Sequence, residues 1–211
     1  MTAERTIAEI MDAASVIPVL EIDDLETAAK VAETLLAGGL KVAELTLRTD
    51  CALEAVGAMK AAAPDLIVGM GTIRTTHDIE RSLSAGADFL VSPGTTPLLL
   101  RALEACRAPC LPGVATPSEA MVVADAGFSA MKFFPASAYG GAPAVKALHG
   151  PLPDITFCPT GGITAEQASD YLALPNVACV GGSWIAGKAV IAKGDWAAMA
   201  ANARRAAAMK V

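Results

Sequence analysis

The chain has 211 residues, enough for one domain with a large core and close to the size of single α/β barrels. Its 16 basic and 22 acidic residues give a formal net charge of −6, which argues against a general nucleic-acid binder, so any anion must be held locally. Hydrophobic content is 54%, yet apolar runs are broken by charges, Gly or Pro, and the longest uncharged stretch, Tyr171 to Gly187, contains Pro175-Asn176 and Gly181-Gly182; no membrane span is expected.

The segment Met1 to Ser15 carries Glu4, Arg5, Glu9 and Asp12 through an amphipathic pattern with no apolar signal core. An additional N-terminal helix and a soluble, cytoplasmic protein are the expectation. After it, short Val/Ile/Leu-rich runs alternate with Ala-rich helical segments, as when parallel strands are covered by crossover helices. Eight strands are predicted, at Val16–Ile22, Lys41–Leu47, Leu66–Gly71, Phe89–Ser92, Cys110–Gly113, Ala130–Phe134, Ile155–Pro159 and Val177–Gly181. Helices are predicted between them and at the end, at Leu25–Ala37, Ala52–Ala62, His77–Ala85, Pro97–Cys106, Pro117–Ala126, Ala165–Leu172 and Trp196–Met209. Asp23 or Asp24, Thr116 and Thr164 supply cap signals at helix starts, and Gly38-Gly39, Gly86 and Gly127 stand after helix ends. The pattern reads as a single (β/α)₈ barrel spanning residues 1–211, with an open doubly wound sheet as the competitor; the chain has no Gly-x-Gly-x-x-Gly to favour the latter.

In such a barrel, functional side chains belong at the carboxyl ends of the strands. Lys132 lies late in the sixth strand, a lone cation in an apolar run, and lysines so placed form Schiff bases with carbonyl substrates. The alternative is a lysine whose stem packs on apolar neighbours while its head reaches water. In Glu44-Leu45-Thr46-Leu47-Arg48 a period of two puts the polar residues on one face, where Glu44 suits acid–base work and the fork of Arg48 suits a carboxylate or phosphate. An ion pair of Glu44 with Arg48 or Lys132 serving structure alone is the competing reading. Gly161-Gly162 after the seventh strand and Gly181-Gly182-Ser183 after the eighth form two glycine loops of the kind in which barrels bind phosphate.

Five scattered cysteines without a Cys-x-x-Cys pair suit reduced thiols, and His77 and His149 form no ligand cluster, so no metal is expected.

Together with Gly38-Gly39-Leu40, Gly69-Met70-Gly71-Thr72-Ile73, Val91-Ser92-Pro93-Gly94, Lys132-Phe133-Phe134-Pro135-Ala136 and Phe157-Cys158-Pro159-Thr160-Gly161-Gly162-Ile163, these motifs run through nearly the whole chain. It resembles the class I 2-keto-3-deoxy-6-phosphogluconate (KDPG) aldolases, which often also cleave 4-hydroxy-2-oxoglutarate (KHG). The resemblance implies a (β/α)₈ homotrimer without a cofactor, acting on a phosphorylated keto acid. It makes Lys132 the Schiff-base lysine and Glu44 the general acid/base working with a bound water. It gives Arg48 and Thr72 to the pyruvyl carboxylate, Gly161, Gly162, Gly182 and Ser183 to the phosphate, Thr160 to a substrate hydroxyl, and Pro93 and Phe134 to the pocket wall. Ser137 departs from the pattern, which continues with Glu after Lys-Phe-Phe-Pro-Ala. A galactonate-series aldolase, an aldolase preferring unphosphorylated 4-hydroxy-2-oxoglutarate, a non-catalytic phosphosugar-binding barrel and a barrel isomerase are the alternatives.

Overall fold

The computed structural model describes residues 5–209; Met1–Glu4 of the expected N-terminal helix and residues 210–211 lie outside the described residues. The chain begins with α1 (Ile7–Asp12), whose first turn is closed by a reciprocal capping box between Thr6 and Glu9. The strands that follow are β1 (Val16–Leu20), β2 (Val42–Thr46), β3 (Ile67–Gly71), β4 (Leu90–Val91), β5 (Cys110–Leu111), β6 (Gly113–Val114), β7 (Ala130–Phe133), β8 (Thr156–Pro159) and β9 (Val180–Gly182). Helices α2 (Leu25–Ala37), α3 (Ala52–Ala62), α4 (Thr76–Ser84), α5 (Pro97–Ala105) and α6 (Pro117–Asp125) cover the first half of the sheet; α7 (Gly141–Leu148), α8 (Ala168–Leu172), α9 (Lys188–Ala192) and α10 (Trp196–Ala207) follow.

Among the described residues every strand pairing is parallel. One sheet runs in the order β5-β4-β3-β2-β1-β9 and a second in the order β6-β7-β8. Bridges Phe157 to Val177 and Thr160 to Gly181 join β8 to the β9 segment, while Pro112 alone separates β5 from β6. The expected fifth strand is therefore split. Proline has no N–H to give a ladder, although its carbonyl still accepts from Lys132 N at 2.9 Å.

The parallel α/β sheet is curled, and its two faces bury different cores. Outward residues such as Leu20, Ala43, Leu45, Val68, Met70 and Phe157 pack against the helices. Inward residues, including Ile17, Val42, Ile67, Phe89, Ala130 and Cys179, form a separate cluster that Ile10, Met11 and Ala14 of α1 and the turn after it complete. Val42, Ile67 and Ala130 each open their strand, so α1 seals the amino ends of the sheet and the opposite ends remain for chemistry.

Candidate active site

One pleat repeat beyond Val42 and Ala130, the inward positions become Glu44 and Lys132. These residues are 88 apart in sequence and lie in different sheets, yet Lys132 Nζ donates to Glu44 Oε1 at 3.0 Å and to Oε2 at 3.3 Å. Both are buried, with side chains 6% and 5% exposed. The expected lone cation is thus paired, which explains how it is tolerated inside: an unpartnered buried ammonium is unfavourable, whereas a carboxylate with two oxygens in reach compensates it. The Phe134 ring completes the surroundings, its centroid 5.3 Å from the amine.

Glycines make the room for this pair. A Cβ on Gly71, in the neighbouring strand β3, would stand 2.1 Å from Glu44 Oε1, so a side chain there is incompatible with the carboxylate's position. A Cβ on Gly113, which pairs in register with Lys132, would strike the Ser92-Pro93-Gly94 backbone at 2.5 Å; Pro93 reaches this layer only because position 113 is bare. A Cβ on Gly181 would meet Thr160 Oγ1 at 2.3 Å, and that hydroxyl donates to Cys158 O at 3.3 Å. The space-making roles of Gly71, Gly113 and Gly181 were missed in the sequence, although alternating glycine within a strand signals close approach.

At the carboxyl ends, Thr46 is drawn onto the neighbouring strand, its hydroxyl donating to Leu20 O at 2.8 Å. Strand β2 ends there, and Arg48 emerges from the following turn with its side chain 47% exposed. Its Nε donates to Thr72 Oγ1 at 3.1 Å, and Nη1 lies 3.8 Å from Glu21. Thr72 is held at φ +66°, a left-handed conformation rare for a β-branched residue; strain of this kind, about 1–3 kcal/mol, gathers at functional sites. Arg48 and Thr72 also line a cavity of about 570 Å³ with Arg74 and Arg81. Glu21, which directly follows β1 and also pairs with Lys188, is a residue that sequence reading did not single out.

The two glycine loops come together on the other side. Gly161 and Gly162 have φ of +102° and +73°, conformations that glycine adopts without penalty. Gly161 lies against the Phe134 ring and Gly162 against Ser137, where added Cβ atoms would be 3.1 and 2.9 Å away. Gly182 ends β9, and exposed Ser183 follows it. The bridge from Thr160 to Gly181 places the roots of the two loops side by side. Of the expected site residues, Glu44 lies in the middle of β2 and Lys132 next to the end of β7, while the others fall at or beyond the carboxyl ends of the strands. No cluster of three or more His, Cys, Asp or Glu suited to a metal occurs among the described residues.

The model of the family "KDPG and KHG aldolase" matches residues 7–202. The 2-dehydro-3-deoxy-phosphogluconate aldolase of Dickeya dadantii is 46% identical over 205 residues, covering 97% of this chain and 96% of that protein. The KHG/KDPG aldolase of Escherichia coli K12 is 42% identical over 203 residues, covering 96% and 95%. In three dimensions, a KDPG aldolase from Legionella pneumophila, solved with pyruvate captured at low pH as a covalent carbinolamine intermediate, superposes with a TM-score of 0.93 at 42% identity, covering 96% of this chain and 98% of its own. The chain belongs to the KDPG and KHG aldolase family.

Proposed function

We propose that the protein is a class I aldolase that cleaves 2-dehydro-3-deoxy-6-phosphogluconate reversibly to pyruvate and D-glyceraldehyde 3-phosphate. The observation that carries this reading is the buried Lys132–Glu44 pair on the inner face of the strands, an amine and a proton acceptor in direct contact. Lys132 passes a proton to Glu44 and attacks the C2 ketone. Glu44 returns that proton to the hydroxyl of the carbinolamine so formed, which leaves as water to give a protonated imine and a carboxylate free to act again. Glu44, through a bound water, then takes the C4 hydroxyl proton; the C3–C4 bond breaks, and its electrons pass into the imine. Protonation of the enamine at C3 and hydrolysis return the amine and release pyruvate. The imine is the electron sink, so the scheme calls for no metal or organic cofactor.

Arg48 and Thr72 take the pyruvyl carboxylate, while Pro93 and Phe134 wall the pocket. Thr160 faces a substrate hydroxyl. The phosphate lies on Gly161, Gly162, Gly182 and Ser183. The strands close into a single (β/α)₈ barrel in which β5 and β6 count as one, with α1 as its extra N-terminal helix. We further infer a cytoplasmic homotrimer; among the described residues no helix is long and apolar enough to cross a membrane. The E. coli relative carries both KHG and KDPG in its name, which supports cleavage of 4-hydroxy-2-oxoglutarate as a second activity.

Pyruvate release from the phosphorylated gluconate substrate and from its galactonate epimer tests the assignment, with the gluconate form expected to turn over faster. Replacing Glu44 by Gln is expected to lower kcat by about 10²-fold or more, the usual contribution of a positioned acid/base. A kcat within a few-fold of the parent would remove Glu44 from the proposed proton relay.

A further inference from the structure

A second pair of reactive side chains stands at the opposite end of the sheet. Cys106 caps the end of α5 and Cys110 opens β5, and their sulfurs are 3.7 Å apart. Arg107 between them has φ +56°, a left-handed conformation in the turn that joins α5 to β5. Each is held in place: Cys106 Sγ donates to Leu103 O and Cys110 Sγ to Ala108 O, both at 3.1 Å. Cys110 is buried, whereas Cys106 is half-buried and lines a cavity of about 830 Å³. Arg5, Lys60, Asp65, Asp88 and Arg107 share that lining; with Lys60 and Asp88 paired at 2.6 Å, the two arginines outnumber the remaining Asp65. When the Cys110 S–H turns from Ala108 O to Cys106 Sγ, that hydrogen bond holds the Cys106 thiol below its ordinary value, against the opposing effect of burial.

We propose that Cys106 and Cys110 form a reversible thiol–disulfide exchange site that takes small anionic disulfides from the 830 Å³ cavity and ends as an intramolecular disulfide. The Cys106 thiolate attacks one sulfur of the incoming disulfide, forming a mixed disulfide and expelling one thiolate. Cys110 then gives up its proton and attacks Cys106 Sγ, expelling the second thiolate. Two protein thiols lose two electrons in total, and one small disulfide is reduced to two thiols. Forming the bond closes the 3.7 Å sulfur gap to roughly 2.0 Å. Pairing within the chain is favoured over a lasting adduct because the buried Cys110 is already in contact.

The test is to expose the reduced full-length protein to oxidised glutathione and follow it by intact-mass and peptide mass spectrometry. The expected product has lost two hydrogens, contains a peptide linking Cys106 to Cys110, and returns to the dithiol with dithiothreitol. Cys110→Ser should stop at a glutathione adduct on Cys106, and Cys106→Ser should give neither product. The rate with oxidised glutathione relative to that with the uncharged disulfide of 2-mercaptoethanol should fall about threefold or more in Arg107→Gln, or in high salt. Adducts confined to Cys51, or no link between residues 106 and 110, would overturn the site; an unchanged rate ratio would overturn the preference for anions. Aldolase activity is not the readout, so the outcome is independent of the proposed reaction.

Discussion

Glu44 and Lys132 meet because a glycine stands where any other residue would collide with the carboxylate. Gly71→Ala places a methyl group 2.1 Å from the present position of Glu44 Oε1. The carboxylate has to move, and a displacement of about 1 Å in a reacting group costs around 10²-fold. We therefore expect kcat to fall by that order in the Gly71→Ala variant, measured alongside its thermal midpoint to show that the fold survives; unchanged turnover would mean that the carboxylate's present position is irrelevant. Lys132 and Glu44 were legible in the sequence because charge inside an apolar strand is conspicuous. Their direct contact was not, since two residues 88 apart in sequence carry no local sign of each other, and the pair stood there as one of two possible ion pairs, the other being Glu44 with Arg48. Arg48 was read as continuing the alternation of β2, but the strand has already ended; the arginine returns to the site through Thr72 rather than by periodicity.

Among the elements, α4 shows how a helix start fixes the loop before it. Its capping box joins Thr75 and Asp78, and the Asp78 carboxylate also accepts from Arg74 N at 3.1 Å and from Arg81 at 3.0 Å. These bonds hold the short segment that runs from Thr72 into the helix. Burial pushes the Asp78 carboxyl upward, but the hydrogen bonds from Arg74, Thr75 and Arg81 together bring it below its ordinary value. A carboxyl lowered in the folded state stabilises the fold above the unfolded-state value, about 3.9, and that contribution is lost as pH falls through the folded value. Asp78→Asn should therefore cost about 1 kcal/mol at neutral pH, and the gap to the parent should narrow below about pH 4, as read from urea unfolding midpoints. A gap that stays constant with pH would detach the effect from the carboxylate. Helix starts such as Asp24 and Thr116 were readable because their caps are local. Helix α7 was not, as Gly140-Gly141 and Pro143 resemble a loop, and α8 begins three residues later than expected because residues 165–167 form turns after the Thr164–Gln167 cap.

At the scale of the molecule, two apolar clusters divide the work: the outer one fastens helices to strands, while the inner one plugs the amino ends beneath Lys132 and Glu44. The order of alternating strands and helices was legible from hydrophobic patterning, but the sealing of the inner face by Ile10 and Met11 was not, because α1 has only six residues and its partners are scattered along the chain. Ile10, 1% exposed, should lose about 2–5 kcal/mol of stability on replacement by Ala, seen as a lower unfolding midpoint; a loss below about 0.5 kcal/mol would mean that α1 does not contribute to the core. In the proposed reaction this architecture presents one lysine for covalent catalysis. The most direct measurement is reduction of the protein with borohydride in the presence of pyruvate, followed by peptide mass spectrometry. A single reduced pyruvyl adduct on Lys132, retained when Glu44 is replaced by Gln and absent when Lys132 is replaced by Met, is the predicted result; an unlabelled protein, or a label on another lysine, would contradict it.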